Sequence, residues 1–189
     1  MTFNPNDYIP ALVESGLSII PITEGEKRPH SILGPTHDLL SQRPAREEAE
    51  KWVATGVRSW AVAGGAVSEN LVTLDFDEKH YKGLFDLWYA KLADDQKAIV
   101  DTCAKSRTRN GGTHLRYRTE TSQPTVKLSR RVIKGKIETT SETKAEGGYA
   151  LIPPSAGYTL LQGDLAHLPL VTDEIHEGFI DILRTFEEV

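Results

Sequence analysis

An α+β fold, a mixed β-sheet flanked by helices, is what this 189-residue sequence predicts, on three observations. Short β-branched segments alternate with segments of helical period, several steps between segments are short enough for hairpins, and Gly-Gly and Pro-Pro pairs punctuate the boundaries. Hydrophobic residues make up 39% of the chain and charged residues 26%, which suits one sizeable core or one core built from two lobes. No apolar run approaches the length of a membrane span, and the N-terminus lacks the positive head and apolar stretch of a signal peptide, so a cytoplasmic protein with no membrane partner is expected. The single cysteine, Cys103, can neither close an intrachain disulfide nor anchor a cysteine-rich zinc site.

Taken in order, Asn6 is placed to cap a helix that runs to about Ser15 and stops at Gly16. Residues 17–20 read as a strand that Pro21 closes, and residues 24–29 as a turn presenting Lys27 and Arg28. Residues 35–43 are irregular; Pro44 then starts a helix with Ala49, Trp52 and Val53 on its dry side. Residues 59–63 form a second strand, closed by Gly64-Gly65, and residues 71–77 a third, whose apolar start runs straight into acids. Leu84, Leu87, Trp88 and Leu92 recur at helical spacing over about 81–92. Residues 99–104 and 113–118 are expected strands around a Gly111-Gly112 turn, followed by strands at 136–140 and 149–152 that Pro153-Pro154 ends. A capped helix over about 172–187 packs Ile175, Phe179, Ile180, Leu183 and Phe186.

The chemistry concentrates in a few places. On a strand, Asp75 and Asp77 point to one face and Phe76 to the other. Two adjacent carboxylates repel unless a cation lies between them, and a hard divalent ion such as Mg²⁺ takes oxygen ligands; a solvated strand end is the bland alternative. The net charge is −5, but residues 105–144 hold eleven Lys or Arg against Glu120, Glu138 and Glu142, a local excess of +8. Such a stripe in an acidic body suits a phosphate-tracking groove, or else a solvated lysine-rich hairpin. Gly111 and Gly112 would let backbone amides approach a phosphate, with Arg109 and His114 flanking them.

Together these segments resemble the bifunctional primase-polymerase (prim-pol) domain of the archaeo-eukaryotic primase superfamily, known from plasmid and phage replication proteins. The resemblance runs through Ile19-Ile20-Pro21, Lys27-Arg28-Pro29, Val72-Thr73-Leu74-Asp75-Phe76-Asp77, Gly111-Gly112-Thr113-His114, Glu142-Thr143-Lys144-Ala145-Glu146-Gly147-Gly148-Tyr149 and Ile152-Pro153-Pro154-Ser155. It implies an RRM-like catalytic core over about 66–160, after an N-terminal α/β lobe over about 1–65 and before the last helix. It also implies a DNA primase or DNA-directed polymerase, with Asp75, Asp77 and Glu142 as catalytic and metal-holding acids for two Mg²⁺ or Mn²⁺ ions. Glu138, four residues earlier, competes with Glu142, which keeps the spacing to Gly147-Gly148-Tyr149.

For a bound dNTP or NTP the resemblance points to His114, Lys144 and Lys27; Gly111, Gly112, Arg109 and Ser155 complete the expected nucleotide site. Arg116, Arg118, Lys127, Arg130, Arg131 and Lys134 are the expected contacts to a single-stranded or primed DNA template. A C-terminal helicase module in a longer protein is a further expectation. Two other readings keep some of the same residues: a non-catalytic nucleic-acid-binding fragment of a replication protein, and a metal-dependent sugar-nucleotide transferase.

Overall fold

The computed structural model describes residues 4–34 and 38–189; the first part of the irregular stretch expected at 35–43 lies outside them. Helix α1 (Pro5–Glu14) is capped by Asn4, two residues before the expected cap, because Pro5 suits the first helical turn, where its missing N–H costs nothing. Strand β1 (Ile19–Ile22) contains Pro21 rather than ending at it. It is the edge of an antiparallel three-stranded sheet in the order β1, β2 (Ser59–Ala63), β8 (Tyr149–Ile152), and an edge tolerates a proline. Helix α2 (Arg46–Ala54) packs against α1 over this sheet.

The second sheet has seven strands. β3 (Leu71–Phe76), β4 (Ala104–Arg107), β5 (Thr113–Thr119), β6 (Lys127–Ile133), β7 (Lys136–Lys144) and β9 (Thr159–Gln162) lie in the order β6-β7-β3-β5-β4-β9, and β10 (Leu170–Val171) adds in parallel to the far end of β5. Helices α3 (Leu84–Lys91), α4 (Asp94–Val100) and α5 (Asp173–Arg184) accompany it. The fold is therefore mixed α+β, with antiparallel sheets flanked by helices, as the alternation of periods predicts.

The strand expected at 99–104 is a correction. Asp94, Asp95 and a Gln96 side chain that accepts from the Ala93 amide start a helix here, so Ile99 and Val100 belong to α4 and the strand begins only at Ala104. β6 is absent from the sequence reading because Lys127, Ser129, Arg130 and Arg131 give it no apolar alternation; its partner β7 supplies the ladder. β7 itself runs four residues beyond the expected end and carries Glu142 and Lys144 on a strand.

Two cores result. One gathers α1, α2 and the small sheet around Ile9, Leu12, Ile19, Trp60 and Ile152. The other lies between the large sheet and its helices, where Phe76, Phe85, Trp88 and Phe179 pack ring against ring at 5.2–5.7 Å. The chain crosses from β7 in the large sheet to β8 in the small one over Gly147-Gly148, and Gly147 adopts φ 73° to make that turn.

Candidate active site

Register builds the site. β3 lies between β5 and β7, with Asp75 opposite His114 on one side and Glu142 on the other. Thr73 likewise lies between Arg116 and Lys144. Because strand side chains alternate, these six form two rows on one face of the sheet, while Val72, Leu74, Phe76, Leu115 and Tyr117 form the opposite, apolar face.

Like charges directly across a ladder repel, and local cations offset the repulsion between Asp75 and Glu142. Lys144 Nζ lies 2.9 Å from Glu142 Oε1, and His114 Nε2 lies 3.4 Å from Asp75 Oδ1. Burial acts to raise the Asp75 carboxyl, but His114, Lys144 and Lys27 outweigh it and hold the group below its ordinary value. Burial holds the His114 imidazole below its ordinary value, with Asp75 opposing and Arg116 adding to the effect.

Arg116, an expected template contact, is fully buried. Its Nη2 lies 2.7 Å from His114 Nδ1 and 2.8 Å from the Leu151 carbonyl, and its Nη1 lies 3.2 Å from Ser106 Oγ. A guanidinium only donates, so Nδ1 accepts and the proton of the neutral ring sits on Nε2, which faces Asp75. Burial pushes the Arg116 guanidinium down to about 10, so it stays cationic at neutral pH.

Asp77 follows the strand end, half exposed, with Nε2 of His80 3.7 Å away, and its amide donates to the Thr140 carbonyl. Glu138 approaches the same His80 at 3.9 Å. Register gives Glu142, and not Glu138, the place opposite Asp75. Among the described residues no group of three or more acidic, His or Cys side chains is drawn together as a metal cluster. What fits a hard divalent ion is the donor chemistry, carboxylate oxygens from Asp75, Asp77 and Glu142 facing one hollow of about 260 Å³. An adjoining crevice of about 390 Å³ shares Lys27, Asp75 and Glu142 with that hollow and adds His114, Lys144 and Gly148.

Other expected residues lie elsewhere. Gly111, at φ 82°, donates its amide to the Thr108 carbonyl and lines a separate hollow with Glu78, Lys105 and Arg107, whereas a Cβ on Gly112 would strike the Phe76 carbonyl. The glycines that line the crevice are Gly147 and Gly148, and two Gly-Gly pairs next to charged residues read alike in sequence. Arg109 ties the Gly25 and Ala156 carbonyls together. Ser155 is buried, its hydroxyl bonded to both the amide and the carbonyl of Trp60.

Of the expected template contacts, Arg118 pairs with Glu69 at 2.5 Å and donates to the Ser15 carbonyl. Arg130 and Arg131 pair with Glu187 and Glu188 at 2.5 and 2.6 Å. Lys127 lines the acidic hollow opposite Glu142, and Lys134 sits at the β6–β7 turn with φ 51°. Tyr158 and Thr125 also line the crevice wall, and neither lies in a sequence pattern that marks it.

A family model described as the N-terminal domain of bifunctional DNA primase/polymerase matches residues 10–171. No curated protein gives a match. No helix among the described residues is long and apolar enough to cross a membrane.

Proposed function

The chain belongs to the bifunctional DNA primase/polymerase family, and from that premise we propose a divalent-metal-dependent nucleotidyltransferase that extends a 3′ hydroxyl on a DNA template. The observation that carries this reading is the pairing of Asp75 with Glu142 across adjacent strands, in a crevice that also holds Lys27, His114 and Lys144. In the transfer, the primer oxygen forms a bond to the α-phosphorus, the bond to the pyrophosphate oxygen breaks, and the hydroxyl proton leaves to solvent.

The chain's own groups act by position and charge. Lys27 and Lys144 bring positive charge to the crevice where a triphosphate would lie, and the Arg116-oriented His114 offers it an Nε2–H donor. Asp75, Asp77 and Glu142 would hold Mg²⁺ or Mn²⁺, which when bound lowers the charge on the phosphates and favours the ionised primer hydroxyl. Lys144 and His114, now 2.9 Å from Glu142 Oε1 and 3.4 Å from Asp75 Oδ1, border the same crevice and would be within reach of phosphate were those acids to hold an ion. Lys127, beside the acidic hollow, suits a template or primer phosphate.

The test is incorporation of labelled nucleotide on single-stranded and on primed template with Mg²⁺ or Mn²⁺. Asp75→Asn/Asp77→Asn is expected to lower it at least ~100-fold, the upper end of what losing outer partners of a metal site costs. A double variant that extends primers at the wild-type rate, or a wild-type chain that binds DNA and incorporates nothing, defeats the reading.

A further inference from the structure

We propose that the β6–β7 hairpin carries an apolar shelf, edged with lysines, that receives the bases of a DNA strand leading to the acidic hollow; this deepens the polymerase reading and rests on it. Val132 and Ile137 face each other in register on the two strands and are 58% and 59% exposed. Directly opposed residues have Cβ atoms about 5 Å apart, so the two form one continuous aliphatic surface. Among the described residues the other exposed large hydrophobics, Ile32, Leu87, Leu161, Leu170 and Val189, stand apart from one another along the chain, and single exposures of that kind need no partner.

The shelf also faces the right way. Ser129 pairs with Ser141 and Arg130 with Thr139, so Thr140 is an extra residue in the ladder, a bulge. Simple alternation from Glu142 would send residue 137 to the helix-covered face. The bulge reverses that, and Ile137 lines the same hollow as Asp75, Asp77 and Glu142. Thr140 holds the Asp77 amide through its carbonyl, and Ile137 lies three residues further on. That is about 10 Å of strand at ~3.3 Å per residue, close to three stacked bases at ~3.4 Å each.

Charge selects the occupant. Lys134 and Lys136 at the tip and Lys127 beside the hollow have no carboxylate within ion-pair distance among the described residues, whereas the C-terminal Glu187 and Glu188 neutralise Arg130 and Arg131 of the same hairpin. An aliphatic surface edged by unpaired lysines suits a polymer that is apolar at its bases and anionic along its backbone.

The experiment measures affinity of the whole chain for fluorescein-labelled single-stranded and primed DNA by anisotropy across a salt series, without nucleotide or metal, with circular dichroism to confirm folding. Val132→Ser/Ile137→Ser is expected to raise Kd about 10-fold with the salt slope unchanged, as for a lost base contact. Lys134→Ala/Lys136→Ala is expected to flatten the slope by about one per lysine. Wild-type affinity in the serine double variant overturns the shelf even where the chain incorporates nucleotide. So does loss of self-association by sedimentation with DNA binding unchanged, which would give the patch to a second copy. DNA binding that depends on the shelf in a chain that incorporates nothing refutes the polymerase reading alone, and a chain that binds no DNA refutes both.

Discussion

The helix-covered face of the large sheet and its crevice-facing side come from alternate residues of the same strands, and they differ in what closes them. Val72, Leu74, Phe76, Leu115 and Tyr117 are fully buried beneath α3 and α5. Thr73, Asp75, His114, Arg116, Glu142 and Lys144 lie beneath the small sheet, Tyr158 and the loop that carries Lys27, around an open crevice. The packed side fixes the backbone, and the backbone fixes the separation of charges on the other side; an acid row would otherwise relax by moving apart. The contrast teaches that stability and chemistry divide by residue parity along one strand.

Neighbours on β3 break that division most sharply. Phe76→Ala removes a ring packed against Phe85 and Trp88 and is expected to cost ~3–5 kcal/mol, read as a lower Tm. Asp75→Asn, one residue away, is expected to lower Tm far less, because it gives up only the attraction of His114, Lys144 and Lys27 for the carboxylate and leaves the packing intact, while activity is lost. A Tm drop in Asp75→Asn matching that of Phe76→Ala would show that the two sides are not separate.

Arg116→Met is a smaller intervention on the crevice side that touches stability and chemistry together. It leaves His114 Nδ1 and the Leu151 carbonyl without their donor, at ~1–3 kcal/mol, and frees the imidazole to change tautomer. The expected kinetic result is a raised KM for the nucleotide, with partial recovery in Arg116→Lys.

The smallest expected effect is on pH dependence. His176 is buried in α5 with Nδ1 2.9 Å from the Tyr117 hydroxyl, and burial holds its value below the usual one. Below about pH 6.5 the unfolded chain takes up a proton that folded His176 refuses, so the stability it contributes is present above that pH and declines on acidification. Thermal melts from pH 7.5 to 5.5 should show a falling Tm, with a shallower fall in His176→Gln.

Much of the fold was legible because period and punctuation are local. The positions of β2, β3, β5 and β8 and the last helix follow from alternation, glycines and a Thr172 cap. β6 was not legible, since its ladder comes from β7 and not from its own side chains. In the site, Asp75 and Asp77 announce themselves by spacing, whereas Arg116 and Ser155 read as surface groups and turn out to be internal donors. Cationic and hydroxyl side chains carry no sequence mark of burial when their partners are carbonyls, amides or a ring nitrogen far along the chain.

By itself the sequence determined which residues can share a strand face, because alternation is a property of each segment alone. It therefore determined the acid pair, the apolar core facing away from it and the family resemblance. Only the tertiary structure decided that β3 lies between β5 and β7, which sets Asp75 between His114 and Glu142, and that a bulge turns Ile137 toward the same hollow. Those outcomes depend on hydrogen bonds between segments tens of residues apart, whose register no single segment encodes.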